Sequence, residues 1–207
     1  MFEATKRQIT YQEQKTYFDV LRLTVDDKYS WDFAMLGVGL RYINGVGKPD
    51  MLHYVESFGM EGHYDFASNR GYIWSRTFPL LKRALLLGVG QDNFAYAFPN
   101  DDYVGKVNCG FNEQIVTKPH NMYLQIWVQD GLPALLAFLA LYLLLFGRTI
   151  RKCFKKGKWN HSQKISLAFL CGVSGYFVAG LANDSSICVA PVFWVLFGVA
   201  FAVLRSE

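Results

Sequence analysis

Acidic residues almost disappear from the last third of the chain. Residues 132–207 contain only Asp184 and Glu207, against eight Lys or Arg, and the whole chain carries a net charge of +4. Charged residues make up 18% of the 207 residues, below the roughly 25% of an average soluble domain, and the mean hydropathy is +0.11. This shortage of charge argues against a disordered chain and against an ordinary cytosolic domain. The basic balance is typical of membrane topology rather than of nucleic-acid binding.

Cysteine is also scarce and has no pattern. The chain has four: Cys109, Cys153, Cys171 and Cys188. They form no Cys-x-x-Cys pair and no metal-ligand spacing, so we expect free thiols and no metal site. Gly88-Val89-Gly90 lacks the third glycine of a dinucleotide fingerprint because position 93 is Asn, so we interpret it as a turn. The chain shows no internal repeat and no low-complexity run.

Three uncharged apolar runs fill the last third instead. They are Leu132–Gly147, Ile165–Ala182 and Cys188–Leu204. Each is near the lower end of the roughly 17–25 residues that span a bilayer. Three such runs with short loops between them favour transmembrane helices over buried helices of a soluble core. Gly172, Gly175 and Gly180 in the second run predict close helix packing in lipid.

The loops between these runs predict an orientation. The loop before residue 165 carries seven cations: Arg148, Arg151, Lys152, Lys155, Lys156, Lys158 and Lys164. The loop Asn183–Ile187 carries none, so the positive-inside rule places the first loop in the cytoplasm and residues 1–131 outside the cell membrane. Residues 1–10 resemble neither a signal peptide nor a span. We therefore expect the chain to be the C-terminal piece of a longer multi-pass protein.

The exterior part divides into two predicted segments, followed by the membrane segment. Residues 1–67 are predicted as a small β-rich insertion, because Tyr17–Val25 has a strand composition, Asp26-Asp27 ends it and Asn44-Gly45 is a turn signal. Residues 68–131 form the second segment, and residues 132–207 hold the three spans. His53 and His63 have no partner at ligand spacing and are expected to be ordinary surface or core histidines.

A helix is predicted after Ser68-Asn69, which we interpret as its cap. Its apolar residues recur at helical spacing: Trp74, Phe78, Leu81 and Leu85. This pattern predicts an amphipathic helix on the membrane surface, kinked at Pro79. Four cations lie in the same stretch: Arg70, Arg76, Lys82 and Arg83. They form either a solvated helix face, which the charges alone favour, or an anion site near the outer leaflet.

A second short motif, Pro119-His120-Asn121, precedes the first span. Pro119 favours an extended approach, and Asn121 is a good N-cap for the helix that follows. His120 therefore lies at a helix N-terminus, where free N–H groups and the helix dipole favour anions. A lone histidine is more often structural than catalytic, but this one is predicted to lie at the outer membrane interface.

Residues 68–147 resemble the O-antigen ligase and O-antigen polymerase family of bacterial envelope glycan assembly. Ser68-Asn69-Arg70 with Trp74 and Arg76 is similar to the family's S-G-R segment and following W-R, and residues 76–80 fit R-x-x-x-L. His120-Asn121 and Gly131 fit H-N-x₉-G-x-x-G, with Ala134 in place of the last glycine. Residues 88–90 match a G-x-G turn, and 183–185 with 191 resemble the short outer loop of Gram-positive members. Residues 1–60 are not explained by this resemblance.

The resemblance implies a mainly α, multi-pass membrane glycosyltransferase of surface polysaccharide biosynthesis, of which this chain is the C-terminal part. Such enzymes move a glycan from undecaprenyl diphosphate to an acceptor hydroxyl on the outer face, without a nucleotide sugar, cofactor or required metal. Arg70 and Arg76 would then stabilise the diphosphate. His120 would either accept the acceptor's proton or hydrogen-bond the diphosphate. Asn121, Lys82 and Arg83 are the further substrate-binding candidates.

Several alternatives stay open at this stage. Ligase and polymerase share these motifs and differ in the acceptor, which is a glycolipid or other carrier for one and a second lipid-linked repeat for the other. A different class of function is a non-catalytic fragment, or a glycan-binding membrane protein that lacks the upstream spans. An upstream-encoded membrane half is a candidate partner, beside the lipid-linked oligosaccharide and the acceptor glycan, and no nucleic acid is expected.

Overall fold

The computed structural model describes residues 1–11, 14–25, 29–110, 114–154 and 159–205. The chain forms two compact units. The sheet unit comprises Met1–Val55 and Pro99–Ile115, and the helical unit comprises Glu56–Phe98 and Val116–Glu207. The strands are β1 (Phe2–Tyr11), β2 (Gln14–Val25), β3 (Tyr29–Leu36), β4 (Gly39–Ile43) and β5 (Pro49–Asp50). The helices are α1 (Phe66–Leu81), α2 (Phe94–Ala97), α3 (Tyr103–Asn108), α4 (Met122–Asp130), α5 (Leu132–Cys153), α6 (His161–Ala179) and α7 (Ala190–Arg205).

The sheet unit is an antiparallel meander in the order β1-β2-β3-β4-β5. Val20 on β2 lies opposite Ala34 on β3, and both side chains are fully buried in a small apolar core. The predicted strand at residues 17–25 lies within β2, whereas Asp26-Asp27 lies outside the described residues. The predicted turn at Asn44 is confirmed, because its Oδ1 accepts hydrogen bonds from the backbone N–H groups of Val46 and Lys48.

A charged cluster crosses three strands of this sheet. Arg22 on β2 pairs directly with Asp32 on β3 and donates two hydrogen bonds to its carboxylate, at 2.7 and 2.9 Å. Arg7 on β1 donates to the same carboxylate at 2.5 Å. The Arg22 hydrogen bonds, with the charges of both arginines, hold the pKa of Asp32 below its ordinary value despite partial burial. Hydrogen bonds to an ionised carboxylate favour its charged form.

Helix α3 packs on the sheet through Tyr103. Its ring lies 4.7 Å from the ring of Tyr42, centroid to centroid, and its hydroxyl donates to Asp50 Oδ2 at 2.5 Å. Burial and this hydrogen bond raise the pKa of Tyr103 to about 12. Asp102 caps the helix by accepting the Gly105 N–H at 3.0 Å.

Helix α1 differs from its prediction in three ways. It begins at Phe66, and Ala67, Ser68 and Asn69 all have positive φ, so Ser68-Asn69 is a left-handed kink rather than the start of a helix. It is not a surface amphipathic helix, because residues 71–73 and 75–77 are all buried. The backbone break lies at this kink and not at Pro79. Pro79 has no N–H for the Ser75 carbonyl, which instead accepts the Phe58 N–H at 2.8 Å.

Helices α5, α6 and α7 share an aromatic core. Phe177 of α6 stacks on Phe138 and Tyr142 of α5, with centroid separations of 4.8 and 4.0 Å. Phe193 of α7 stacks on Tyr176 at 4.1 Å. Stacked and offset aromatic pairs contribute beyond the area they bury, so this cluster fixes how α5, α6 and α7 pack.

Among the described residues, one helix is long and apolar enough to cross a membrane. This is α5, with 22 residues, and α7 is a shorter apolar helix. The spans predicted at residues 165–182 and 188–204 correspond to α6 and α7 and stay predictions. Gly172 and Gly175 do not mediate close packing within the described part of the chain, because a Cβ at either position would meet open space. Gly180 does pack closely, because a Cβ added at this position would lie 2.6 Å from Met122 Cε.

Candidate active site

Asn121 caps α4, as its sequence context predicted. Its backbone is extended, with φ −156° and ψ 116°, and its Oδ1 accepts the N–H groups of Tyr123 and Leu124, both at 3.0 Å. Its Nδ2 also donates to the carbonyl of Leu181 at 2.8 Å. Asn121 therefore satisfies two open donors of the helix and ties its N-terminus to the chain between α6 and α7.

His120 lies immediately before this cap and is paired with a carboxylate. Its Nδ1 is 2.9 Å from Asp184 Oδ2, with 47% of the histidine side chain exposed and only 10% of the aspartate. The backbone of His120 is left-handed, at φ +52°, a conformation that is uncommon for a non-glycine residue. The turn at His120 thus holds the imidazole between the buried carboxylate and solvent.

Asp184 carries a second unusual feature. Its Oδ1 is buried and has no hydrogen-bond partner among the described residues. Buried polar atoms without a protein partner are rare and costly, and strain, an ordered water or a catalytic role accounts for them in native proteins. An aspartate at one-tenth exposure beside a half-exposed histidine has the geometry of an orienting carboxylate in a His-Asp pair.

The loop between α6 and α7 is held against α4 by a series of hydrogen bonds. The Met122 N–H donates to Gly180 O at 2.8 Å, and the Ser185 N–H donates to Gln125 Oε1 at 2.9 Å. The hydroxyls of Tyr176 and Ser185 lie 3.1 Å apart. These contacts bring Asp184 next to His120 although the two are far apart in sequence.

A cavity of about 760 Å³ opens beside this pair. Lys118 and Met122, on either side of His120, line it, as does Ser185, which follows Asp184. Further polar lining residues are Gln91, Asp92, Gln125, Gln129, Asp130 and Ser186, and the apolar lining includes Ala134, Ala137, Phe138, Leu141, Phe193 and Trp194. The cavity therefore joins a polar mouth to an apolar wall formed by α5 and α7. Ala134, which stands in place of the motif's last glycine, lies in that wall.

Arg76 lies inside the helical unit rather than on its surface. It is 9% exposed, and its guanidinium carbon lies 4.8 Å from the Tyr64 ring and 4.5 Å from the Tyr72 ring. Its Nη1 also donates to Ser75 Oγ at 2.9 Å. The guanidinium is thus held between two aromatic faces, an arrangement that favours Arg over Lys.

The other predicted cations are less buried. Arg70 is half-buried, whereas Lys82 and Arg83 are exposed, with Lys82 Nζ 3.9 Å from Glu56 Oε1. The indole Nε1 of Trp74 donates to the carbonyl of Pro119 at 2.8 Å. This bond ties α1, which carries both Arg70 and Arg76, to the residue just before His120.

Gly88-Val89-Gly90 is a turn that caps the other end of α4. The N–H groups of Val89 and Gly90 donate to the carbonyls of Val128 and Gln129, at 2.8 and 2.9 Å. Gly131, the glycine of the His-Asn motif, then separates α4 from α5 with φ +94° and ψ 165°, a region that only glycine adopts readily. The two glycine motifs therefore meet at one junction.

Comparison with known proteins agrees with these motifs. The sequence model described as O-antigen ligase matches residues 29–139, more than half of the chain. The chain belongs to the O-antigen ligase family. This confirms the family that the motifs indicated, and it places the protein among membrane-associated, ligase- or glycosyltransferase-like enzymes of polysaccharide biosynthesis. No curated protein and no solved structure matches the chain.

The family match reaches further toward the N-terminus than the motifs did. It begins at residue 29 and so includes β3, β4 and β5 as well as α1 to α4 and the first residues of α5.

Within the described parts of the chain, no group of three or more His, Cys, Asp or Glu side chains lies together as a metal site would require.

Asp184 is the candidate site residue that sequence reasoning missed. Asp184 had drawn attention only as part of a short outer loop, together with Asn183 and Ser185, and not as a site residue. The sequence did contain one signal for Asp184, since it is the only acidic residue between positions 132 and 206. A carboxylate retained in an otherwise apolar segment is expected to have a specific partner.

Proposed function

We propose that this O-antigen ligase-family protein transfers a glycan from undecaprenyl diphosphate to an acceptor hydroxyl on the outer face of the membrane. The observation that carries the proposal is the His120–Asp184 pair beside the cavity between α4, α5 and α7. The amide and hydroxyl groups at the polar mouth suit a sugar, and the apolar wall suits a lipid chain. Among the described lining residues Lys118 is the cation available to the diphosphate, opposed by Asp92 and Asp130, so further cations are needed there. The geometry is equally compatible with a glycolipid acceptor and with a second lipid-linked repeat.

In this proposal His120 acts as the general base. Asp184 accepts the Nδ1–H hydrogen bond and so fixes the tautomer in which Nε2 carries the free lone pair. Nε2 takes the proton of the acceptor hydroxyl while its oxygen attacks the anomeric carbon of the donor sugar. The bond from that carbon to the diphosphate oxygen breaks, and undecaprenyl diphosphate leaves.

Cations would stabilise the charge that develops on the leaving diphosphate. Arg70 and Arg76 take this role by motif, with Lys82 and Arg83 as weaker candidates. The Trp74–Pro119 hydrogen bond supports placing α1 near the reacting groups. Because Arg76 is already stacked between two tyrosines, its proposed contribution is a fixed positive field rather than a mobile side chain that follows the substrate.

The test replaces both members of the pair. In membranes of a strain whose sole copy is the variant, His120→Ala should lower glycan transfer by roughly two or more orders of magnitude without loss of protein. Asp184→Asn should lower kcat by about two orders while KM stays near wild type, because it positions the base and does not bind substrate. His120→Gln keeps a hydrogen-bond donor but no base, so it should be as inactive as His120→Ala; an active His120→Gln would assign His120 to diphosphate binding instead.

The sheet unit offers a matched control. His53 Nε2 lies 3.3 Å from Asp101 Oδ2, and both side chains are about half exposed. His53→Ala and Asp101→Asn remove the same chemical groups from an ordinary surface pair and should leave transfer near wild type. Near wild-type transfer by a well-expressed His120→Ala protein would contradict the catalytic assignment.

A second candidate function, glycan binding without turnover, is favoured by a recess in the sheet unit. This recess has a volume of about 250 Å³ and is lined by Trp31, Phe33, Tyr42, Leu52, Tyr103, Val104, Val107 and Asn108. Aromatic faces with a few polar groups at the edge are suited to pyranose rings. If the protein only binds glycan, Trp31→Ala should abolish retention on immobilised surface polysaccharide, and no transfer should be measurable in the wild type.

A further inference from the structure

We propose that a cationic cavity at the end of α5 and α7 binds the phosphate-bearing headgroup of an anionic phospholipid. The cavity has a volume of about 970 Å³, and four of the seven described residues that line it are cations: Arg148, Arg151, Lys152 and Arg205. Its remaining lining is apolar and consists of Phe201, Ala202 and Leu204. It lies in the helical unit, at the ends of α5 and α7 that carry their basic residues.

The charge of this cavity is not balanced by the described residues of its lining. None of the described residues that line it is acidic, and neither α5 nor α7 contains an Asp or Glu. In residues 132–205 the one acidic residue is Asp184, which is paired with His120. Four positive charges around one cavity repel each other, and a bound phosphate group relieves that repulsion. The cavity is therefore complementary in charge to an anion.

The cavity is lined by two helices, α5 and α7, and hydrogen bonds join these to each other and to α6. Lys152 of α5 donates from Nζ to Ser162 Oγ of α6 at 2.7 Å and to the carbonyl of Val203 of α7 at 3.1 Å. The guanidinium carbon of Arg148 lies 5.9 Å from the centre of the Phe201 ring. Lys152 thus fixes the frame, while Arg148 and Arg151 are exposed and offer planar forks that suit two phosphate oxygens.

A lipid fits this cavity better than a soluble anion because of the apolar residues in its lining. Phe201 and Leu204 lie beside the cations, and α5 is the helix that is long enough to cross a membrane. A phospholipid presents a phosphate and an acyl chain together at such a helix end. Basic pockets between membrane helices on the cytoplasmic side are known to hold anionic headgroups, and the positive-inside rule assigns this end to the cytoplasm.

The experiment titrates the full chain in detergent with short-chain phosphatidylglycerol or short-chain phosphatidylcholine and measures bound lipid by native mass spectrometry. We expect tighter binding of phosphatidylglycerol, weakened by salt. Arg148→Gln and Arg151→Gln should each weaken it about fivefold, and the double variant about 25-fold, from the typical contribution of one cation near a lipid surface. Arg148→Lys and Arg151→Lys should restore only part of the binding, because they keep the charge but lose the planar fork.

The matched control is Lys164→Gln. Lys164 is an exposed cation on α6 at the same end of the helices, but it does not line the cavity. Its loss should change phosphatidylglycerol binding less than twofold. Equal weakening by Lys164→Gln and Arg151→Gln would reduce the effect to general surface charge and overturn the proposal. Displacement of the lipid by equimolar inorganic pyrophosphate would overturn it in favour of a soluble anion, and equal binding of the two lipids would overturn it outright.

Discussion

At the scale of single residues, Arg76 is the position where two roles coincide. The family motif indicates an interaction with diphosphate, whereas the structure holds the guanidinium between the rings of Tyr64 and Tyr72 at 9% exposure. A buried arginine stacked on two rings stabilises the fold as well as the local field. Loss of activity at Arg76 therefore needs to be measured together with stability.

We expect Arg76→Lys to lower both quantities. Lysine keeps the positive charge but loses the planar group that stacks on the tyrosines, so the free energy of unfolding should fall by about 2 kcal/mol. Arg70→Lys is the comparison, because Arg70 is half-buried on the same helix; it should lower transfer with little change in the thermal unfolding temperature. Unchanged unfolding of Arg76→Lys in a thermal-shift assay would show that the tyrosine stack does not stabilise the fold.

Residue-scale patterns in the sequence predicted part of this site. Asn121 was predictable as an N-cap because capping depends on residues within one helical turn. The pairing of His120 with Asp184 was not, because the loop between α6 and α7 must first be held against α4 by bonds such as Ser185 N–H to Gln125. The burial of Arg76 was missed for a related reason, since Tyr64 lies before the kink at residues 67–69, which local periodicity does not reveal.

At the scale of elements, the junction of α4 with α5 depends on two glycines. A Cβ at Gly88 would lie 2.1 Å from the Gln129 carbonyl carbon and oxygen, and a Cβ at Gly131 would lie 2.6 Å from Leu86 O. Both clashes are with backbone atoms, which cannot rotate away. The junction also carries the two hydrogen bonds that end α4, so a shift there would be transmitted to the cavity wall formed by the same helix.

We therefore expect Gly88→Ala and Gly131→Ala each to lower the free energy of unfolding by about 2 kcal/mol or more, from overpacking and, at Gly131, from the strained φ. Gly172→Ala is the matched control, because it lies inside α6 and its added methyl group meets open space. That change should be neutral or stabilising by up to about 1 kcal/mol. Thermal unfolding in detergent measures all three, and equal stability of the three variants would contradict this account of the junction.

The β-meander provides an element-scale prediction on pH. Folding lowers the pKa of Asp32 through its hydrogen bonds with Arg22, so the ionised carboxylate stabilises the sheet above the pKa of the unfolded chain. That stabilisation is lost as the pH falls through the lower pKa of the folded state. We expect hydrogen-exchange protection of β2 and β3 to decline as the pH is lowered from about 5 toward 3, once intrinsic exchange rates are corrected.

Asp32→Asn should remove most of this pH dependence and lower the protection at neutral pH. The control is Asp19→Asn, which changes an exposed aspartate on β2 that lies opposite Lys6 across the strand pair. Exposed pairs of this kind contribute little to stability, so its protection should follow the wild-type curve. A wild-type pH profile in Asp32→Asn would show that the three-strand cluster does not stabilise the sheet.

Sequence reasoning and structure agree unevenly across the elements. Composition alone located β2 and the apolar helices, because β-branched residues and long uncharged runs are local signals. The same signals misassigned α1, whose apolar stripe is only half-buried while the polar Ser75, Arg76 and Thr77 are buried. A stripe of apolar residues identifies the buried side of a helix only when the helix packs on one side. Between residues 71 and 77, α1 is buried around most of its circumference, so the stripe was misleading there.

At the scale of the whole molecule, the distribution of charge predicts the orientation in the membrane. α5 is the helix that is long and apolar enough to span, and its C-terminal turn carries Arg151 and Lys152. His120, Asn121 and the cavity mouth lie at its N-terminal end, which Gly131 caps. If α5 spans the membrane with its basic end in the cytoplasm, the proposed reaction takes place at the outer face, as transfer from a lipid-linked glycan to the cell surface requires.

Cysteine labelling tests this orientation. In a variant whose four cysteines are replaced by serine or alanine, Tyr96→Cys should react with a membrane-impermeant maleimide in intact cells, because Tyr96 is 89% exposed and precedes α5. Lys164→Cys, at an exposed position after α5, should react only after the membrane is permeabilised. Labelling of Lys164→Cys from outside, with Tyr96→Cys protected, would invert the topology, place His120 and Asp184 on the cytoplasmic side and remove the basis for transfer at the outer face. Labelling of both from outside would show that α5 does not cross the membrane.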